Sequence, residues 1–230
     1  MASECRGCKG AATPVWDVNA KKVISTYRVC RSCAESGKAT WHSFPFDFVR
    51  IFEEKGLVFS EVHPLMPEAY RETRQDQLPS ERMRKAFDWV PGEKRSLLLH
   101  GTTGCGKTRV AWSVFNRLWL DGFPLDAQFL PMRKVDGLIE KGFDDRDHGG
   151  VIDYLIEVPL LVLDDLGKER MTQRLESDLF AIIDERTANK RVTIITTNYT
   201  SQGLQERFSN AETGPAFIRR LKDYFQAIGA

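Results

Sequence analysis

The chain has 230 residues, of which 42% are hydrophobic and 28% charged, as is usual for one or two folded domains, so fibrous and wholly disordered proteins are excluded. Basic residues number 33 and acidic residues 32, which leaves no overall basic field to draw the chain onto nucleic acid. No apolar run approaches the roughly 20 residues that a membrane span needs, and the first residues lack a signal-peptide core. We therefore expect a cytoplasmic protein without a membrane segment.

Four cysteines near the start form two pairs with the same internal spacing. The pairs are separated by 21 residues, and their members are Cys5, Cys8, Cys30 and Cys33. Two such turns can surround one cation with four thiolates and complete a closed tetrahedral site. We therefore predict a structural Zn²⁺ ribbon over residues 1–38, which would bind protein or nucleic acid. The alternative is chance spacing or a pair of disulfides.

Residues 39–92 are predicted to form a linker with aromatic-rich and helical segments. The aromatic residues of 41–48 could form a partner surface or stack on single-stranded bases, but burial is the plainer interpretation. Within residues 81–90, Met83, Phe87 and Val90 fall on one helical face. This spacing predicts a helix that docks on the domain that follows.

A predicted strand, a glycine-rich loop and a predicted helix follow one another from Ser96. This order is the context in which backbone N–H groups and a helix N-terminus surround phosphates. We expect Lys107 to reach the β- and γ-phosphates and the Thr108 hydroxyl to complete the shell of a Mg²⁺ ion, and we interpret the Cys105 thiol as incidental. The predicted nucleotide-binding residues are Gly101, Thr102, Thr103, Gly104, Cys105, Gly106, Lys107, Thr108 and Arg109.

Two later apolar runs end in polar residues. Residues 158–163 lead into Asp164 and Asp165, and residues 192–195 lead through two threonines to Asn198. In a parallel sheet, such runs bring their polar ends to the carboxyl edge, where ligands bind. We expect Asp164 to hold Mg²⁺, Asp165 to orient or deprotonate an attacking water, and Asn198 to sense the γ-phosphate or its water. Without the glycine loop, an acidic turn that closes a buried strand would explain the two acids equally well, and Asn198 would indicate only a turn.

Together these motifs resemble the DnaC-like helicase loaders and the related IstB-like transposition ATPases of the AAA+ class, over residues 80–228. The resemblance rests on residues 101–108, 160–167, 179–186, 193–198 and 217–221. It implies that ATP is hydrolysed with the help of an arginine from a neighbouring subunit, which falls at Arg220 with Arg219 as the neighbouring candidate. It also implies that an inserted helical region approaches single-stranded DNA, with candidate phosphate contacts at Arg133, Lys134, Lys141 and Arg146.

The sequence departs from this family in two ways. It stops soon after a strand-like segment at 224–228, where family members with a helical lid carry a further arginine, so we expect slow turnover without partners. Many loaders also have a helical partner-binding domain where this chain has the predicted zinc ribbon, and we infer that the ribbon is an adaptor that selects the partner. The acidic loop around residues 144–150 is interpreted as a solvated loop and not a metal site.

The expected fold is α/β, with a P-loop AAA+ parallel-sheet core over residues 93–230 that lacks a full C-terminal lid, joined to the zinc module. The expected function is that of an ATP-dependent helicase loader in DNA replication. It would bind a replicative helicase and single-stranded DNA, use ATP or ADP with Mg²⁺, and form a homo-oligomer through the ATP site. One alternative is an IstB-like transposition helper ATPase. The other is a zinc-dependent adaptor whose nucleotide site is only structural.

Overall fold

The computed structural model describes residues 66–120 and 127–229, together with the backbone of 14–17 and 22–26. The chain divides into two units, residues 1–71 with 116–127 and residues 72–115 with 128–230. In the first unit, strands β1 (Pro14–Asp17) and β2 (Lys22–Thr26) pair antiparallel. The four cysteines of the predicted zinc ribbon lie outside the described residues, so the ribbon stays a prediction.

The second unit is built on a parallel sheet of five strands in the order β4-β5-β6-β3-β7. The strands are β3 (Ser96–His100), β4 (Gln128–Pro131), β5 (Leu160–Leu166), β6 (Val192–Thr197) and β7 (Phe225–Gly229). Strand β6 is buried along its whole length and β5 at every position but one, as expected for strands covered on both faces. The predicted α/β parallel-sheet fold is confirmed.

A short helix, α1 (Glu68–Arg71), belongs to the first unit. The helices that begin in the second unit are α2 (Glu81–Phe87), α3 (Lys107–Leu120), α4 (Met132–Asp144), α5 (His148–Glu157), α6 (Gln173–Ala188), α7 (Ser201–Gln205) and α8 (Thr213–Tyr224). Apolar residues of α6 and α8, among them Leu179, Ile183, Phe217 and Leu221, join the main core with residues of β5. Among the described residues, no helix has both the length and the apolar character needed to cross a membrane.

Helix α2 shows one difference from the sequence expectation. Met83 is fully buried and the helix packs against β7, so the predicted docking is found. However, the helix ends at Phe87 and Val90 is 58% exposed, so the expectation that Val90 shares the buried face is wrong. The reason is Pro91, because a residue that precedes proline is disfavoured in the helical conformation.

The strand order brings the predicted functional loops to one edge of the sheet. Strands β5, β6 and β3 are successive neighbours and run in the same direction. The segments that follow them, which begin at Gly101, Gly167 and Asn198, therefore emerge side by side at the carboxyl edge. The backbone N–H of Gly101 donates to the carbonyl of Thr197 at 3.3 Å, which ties the loop after β3 to the end of β6.

Candidate nucleotide-binding site

The loop between β3 and α3 has the backbone that a phosphate cradle requires. Gly101, Gly104 and Gly106 have φ angles of 146°, 85° and 96°, a region that residues with a side chain rarely adopt. At Gly106 a Cβ atom would also meet Leu78 Cδ2 at 3.0 Å, whereas the space beside Gly104 is open. The three glycines are therefore needed for the path of the loop, as the sequence pattern predicted.

Lys107 extends back into this loop. Its side chain is 5% exposed, and Nζ donates to the carbonyl oxygens of Gly101 and Thr102, both at 2.9 Å. Nζ also contacts the Cys105 sulfur at 3.6 Å. The motif requires only the backbone of Cys105, but its thiol is nevertheless in contact with the lysine of the site. The partners of the ammonium among the described residues are neutral, and a bound phosphate would supply the opposite charge. The loop and its lysine therefore fit a nucleotide phosphate.

Thr108 and Asp164 are brought together from different elements. Thr108, at the start of α3, donates to Asp164 Oδ1 at 3.0 Å, and Thr196 of β6 donates to the same oxygen at 2.6 Å. Asp164 is 7% exposed, and this burial raises its pKa, while the two hydroxyl hydrogen bonds act in the opposite direction. Hydroxyl and carboxylate oxygens are the hard ligands that Mg²⁺ prefers. The pair predicted to hold Mg²⁺ thus has suitable chemistry and proximity.

Asp165 leaves the strand in a left-handed conformation. Its φ is +66°, its N–H donates to Thr196 Oγ1 at 2.8 Å, and its Oδ2 accepts a hydrogen bond from Lys168 Nζ at 2.6 Å. The Thr196 hydroxyl therefore contacts both acidic residues, donating to one side chain and accepting from the backbone of the other. The side chain of Asp165 is 32% exposed, which leaves it accessible at the edge of the sheet.

Two contributors to the site were not singled out from the sequence. Thr196 was noted only as part of the strand end that leads to Asn198, and its bridging hydroxyl becomes evident from the pairing of β5 with β6. Lys168 was missed, although its position three residues after Asp165 was a signal for an ion pair. This ion pair raises the pKa of Lys168.

The other candidates occupy the following positions. Asn198 follows β6 at the same edge and is half-buried, and Thr102 and Thr103 are exposed at the tip of the loop. Arg109 is exposed and its guanidinium donates to Thr73 Oγ1 at 3.3 Å. The proposed DNA contacts are exposed on α4 and in the loop after it, at Arg133, Lys134, Lys141 and Arg146.

The two candidate arginine fingers lie on α8. Arg219 is exposed, whereas Arg220 forms an ion pair with Asp184 of α6. An arginine finger contacts the nucleotide bound to the neighbouring subunit and not the nucleotide bound to its own. Both positions are therefore compatible with such a role. The assignment of Arg220 or Arg219 as the finger stays a prediction.

Comparison with solved structures finds a similar fold in DnaI and in the DnaC helicase loader. The chain is similar to the crystal structure of DnaI, with a TM-score of 0.59 and 23% identity over 72% of this chain and 94% of that one. It is similar to the DnaC helicase loader to the same extent, with a TM-score of 0.59 and 22% identity over 71% of this chain and 99% of that one. At these identities the likeness establishes the fold alone.

Sequence comparison finds relatives in mobile elements. The chain is 31% identical over 114 residues to an insertion-sequence ATP-binding protein of Pseudomonas fluorescens and 26% identical over 151 residues to one of Mycobacterium tuberculosis. These matches cover 50% and 65% of this chain and 48% and 59% of the relatives, so it spans about half the length of the first and somewhat more of the second. The model of the family described as IstB-like ATP binding protein matches residues 69–228, and the chain belongs to this family.

Proposed function

We propose that this protein is an ATP-dependent helicase loader of DNA replication. ATP binding between subunits assembles it on a replicative helicase and single-stranded DNA, and hydrolysis releases it. The observation that carries the proposal is the convergence of the Lys107 ammonium, the Thr108 hydroxyl and the carboxylates of Asp164 and Asp165 at one edge of the sheet. Such a set can bind a triphosphate and has a second, accessible carboxylate with which to orient water.

Each residue has a separate task in this proposal. The loop N–H groups and Lys107 bind the phosphates, and Thr108 and Asp164 would hold Mg²⁺, which when bound offsets the phosphate charge. Asp165 orients the attacking water, and its ion pair with Lys168 holds the carboxylate in place. This restraint agrees with an ATPase that works as a slow switch and is accelerated by its partners.

Phosphate release by the purified protein tests the proposal. We expect Lys107→Ala and Asp165→Asn to lower ATP hydrolysis by about 100-fold or more, as happens when charge-stabilising groups are removed. Asp165→Asn should retain ATP binding, because asparagine tolerates the same left-handed backbone. The matched control is Asp223→Asn, an exposed residue of α8. Wild-type protein that binds ATP but releases no phosphate, even with helicase and single-stranded DNA, would instead support the zinc-dependent adaptor.

A transposition helper ATPase is the second candidate, supported by the family match and by the insertion-sequence proteins that this chain resembles. It requires the same core chemistry and differs only in the partner. Pull-down from host lysate with ATP or ADP present separates the two. Nucleotide-dependent capture of the replicative helicase supports the loader, and capture of a transposase supports the helper.

A further inference from the structure

A cavity of about 310 Å³ lies at the amino edge of the sheet, opposite the nucleotide site. It is lined by residues before or at the start of β3, at the end of α6 and at the end of α8, including Glu93, Arg95, Thr187, Lys190, Arg191 and Tyr224. The five residues of β3 separate it from the phosphate loop by roughly 16 Å at 3.3 Å per residue. The cavity is therefore a separate feature, within the size range of small-molecule sites.

The lining of this cavity is predominantly basic. Its charged lining residues are three cations, Arg95, Lys190 and Arg191, and one acid, Glu93. Within the part of the chain that the structure describes, none of the three cations has a carboxylate oxygen within 4.0 Å. Two of them are arginines, whose planar forks match the oxygen pairs of phosphate and carboxylate. The cavity thus presents donors and positive charge that no described acidic group pairs with.

A buried arginine adds to this positive charge. Arg186 is fully buried, and its Nη1 donates to the carbonyl of Ile156 at 3.0 Å; Arg191 Nη1 donates to the same oxygen at 2.7 Å. Burial and repulsion from Arg191 lower the pKa of Arg186 to about 9. The guanidinium groups of Arg186 and Arg191 thus share one carbonyl oxygen, with no carboxylate between them, and they repel each other. An anion bound in the cavity would reduce this repulsion.

The backbone at Lys190 gives an independent indication of function. Lys190 N–H donates to Thr187 O at 3.1 Å and Arg191 N–H donates to Arg186 O at 2.8 Å, which is the Schellman ending of helix α6. Lys190 has a φ of +52°, in the left-handed region that glycine usually occupies at this point. Lys190 lines the cavity in this strained conformation, and non-glycine residues held in this way cluster at functional sites.

We propose that this cavity is a second anion site, which binds the phosphate of a nucleotide unit. The cationic side chains would bind the phosphate oxygens. The ring of Tyr224, which is 41% exposed at the cavity, would contact the base or sugar by stacking. A free nucleotide and the phosphorylated end of a nucleic acid strand present the same chemistry. The proposal does not depend on ATP hydrolysis at residues 101–108.

Calorimetric titration of the full chain with thymidine 5′-monophosphate tests this proposal, with thymidine as the ligand control. We expect the monophosphate to bind and thymidine not to bind. Lys190→Gly should weaken the affinity by about tenfold or more, because a charge-assisted contact is lost. The same substitution should raise the melting temperature by about 2–4 °C, because glycine relieves the left-handed strain. Arg95→Gln should also weaken binding.

Two further variants make the result specific. Lys85→Gln removes an exposed charge on α2 and should leave the affinity unchanged. Lys107→Ala removes the ammonium of the phosphate loop and therefore reports any binding of the probe at that other edge. The proposal is overturned if wild-type protein binds no phosphate probe, if Lys190→Gly binds as tightly as wild type, or if only Lys107→Ala loses binding. A 5′-phosphorylated oligothymidylate that binds more tightly than the monophosphate identifies a strand end as the source, and equal affinity identifies a free nucleotide.

Discussion

His100 links the end of β3 to the phosphate loop. A Cβ atom on Gly229 would lie 2.5 Å from the imidazole Cε1, so the ring packs on the bare backbone of β7. This burial lowers the pKa of His100, and the positive charges of Arg82 and Lys107 lower it further. The folded state therefore favours the neutral imidazole beside the loop that binds phosphates.

The lowered pKa of His100 predicts a loss of stability in mild acid. Above the unfolded-state pKa of about 6.5, the imidazole is neutral in both states. As the pH falls below that value, the unfolded chain takes up the proton first, so stability decreases until the folded pKa is reached. We expect His100→Asn to reduce the fall in melting temperature between pH 7.5 and 5.5 by about 2 °C. If the melting temperatures of the two proteins fall by the same amount between these pH values, the account is contradicted.

The sequence was sufficient to predict the residues whose role is set by a local pattern. The glycines of the loop, Lys107 and Thr108 are defined by spacing alone. The structure shows the positive φ angles of the glycines and the return of Lys107 onto the loop, while the roles of these residues toward a nucleotide stay predictions. The bridging role of Thr196 depends on which residues of β5 and β6 lie opposite each other, and the pairing has an irregularity between Leu163 and Leu166. Such a register is fixed by tertiary packing, so no local pattern reveals it.

At the scale of elements, Arg186 connects the end of α5 to the start of β6. Arg186 lies near the end of α6. It donates to carbonyl oxygens around the end of α5 and at the start of β6, and to one threonine hydroxyl. These partners are Leu155, Ile156, Val158, Val192 and Thr193, at 2.6–3.0 Å. The guanidinium thus satisfies backbone groups at the points where two elements end and begin.

Replacing Arg186 should be costly even with another basic residue. Lysine has three donors where arginine has five in a planar fork, so Arg186→Lys leaves buried carbonyl groups without partners. We expect the free energy of unfolding in denaturant to fall by about 2–4 kcal/mol. Arg170→Lys, at an exposed position, is the control and should change it by less than about 0.5 kcal/mol. An equal, small effect of both changes would show that the hydrogen bonds of Arg186 add little to stability.

The hydrophobic pattern of the sequence predicted most helices and strands, but it did not predict all of their ends. The strand-like segment at 224–228 is found as β7 over Phe225–Gly229, one residue from the expected position. Helix α2 ends three residues before Val90, because Pro91 interrupts a pattern that side-chain spacing alone would continue. Periodicity reports which face is buried, whereas the end of a helix depends on local backbone restrictions that the pattern does not contain.

At the scale of the whole molecule, the central strands carry a different site at each end. The carboxyl ends of β3, β5 and β6 hold the phosphate loop and its acidic partners, and the amino ends of β3 and β6 border the basic cavity. The order of the five strands decides which loops become neighbours, and it could be taken from the sequence only through the resemblance to a family. Individual motifs do not specify it, because several parallel orders would satisfy the same apolar runs.

The ion pair between Arg220 and Asp184 connects α8 to α6 in the isolated chain, and it leads to a prediction for assembly. If Arg220 acts on the ATP of a neighbour, it must first leave Asp184, so ATP-driven assembly and this ion pair compete for one guanidinium. Both side chains are about one-third exposed, so the pair should stabilise the fold by no more than about 1 kcal/mol. Asp184→Asn should therefore leave the fold intact and release the arginine.

We expect Asp184→Asn to assemble at about two- to fivefold lower ATP concentration than wild type, since an ion pair of up to 1 kcal/mol no longer opposes the contact. Arg220→Ala should bind ATP as a monomer but neither assemble nor respond to partners. Light scattering after size-exclusion chromatography across an ATP series measures both effects, with Asp223→Asn of α8 as the charge-matched control. A higher ATP requirement for Asp184→Asn would mean that the ion pair positions α8 for assembly and does not restrain it. Assembly that persists in Arg220→Ala would move the role to the exposed Arg219 on the same helix.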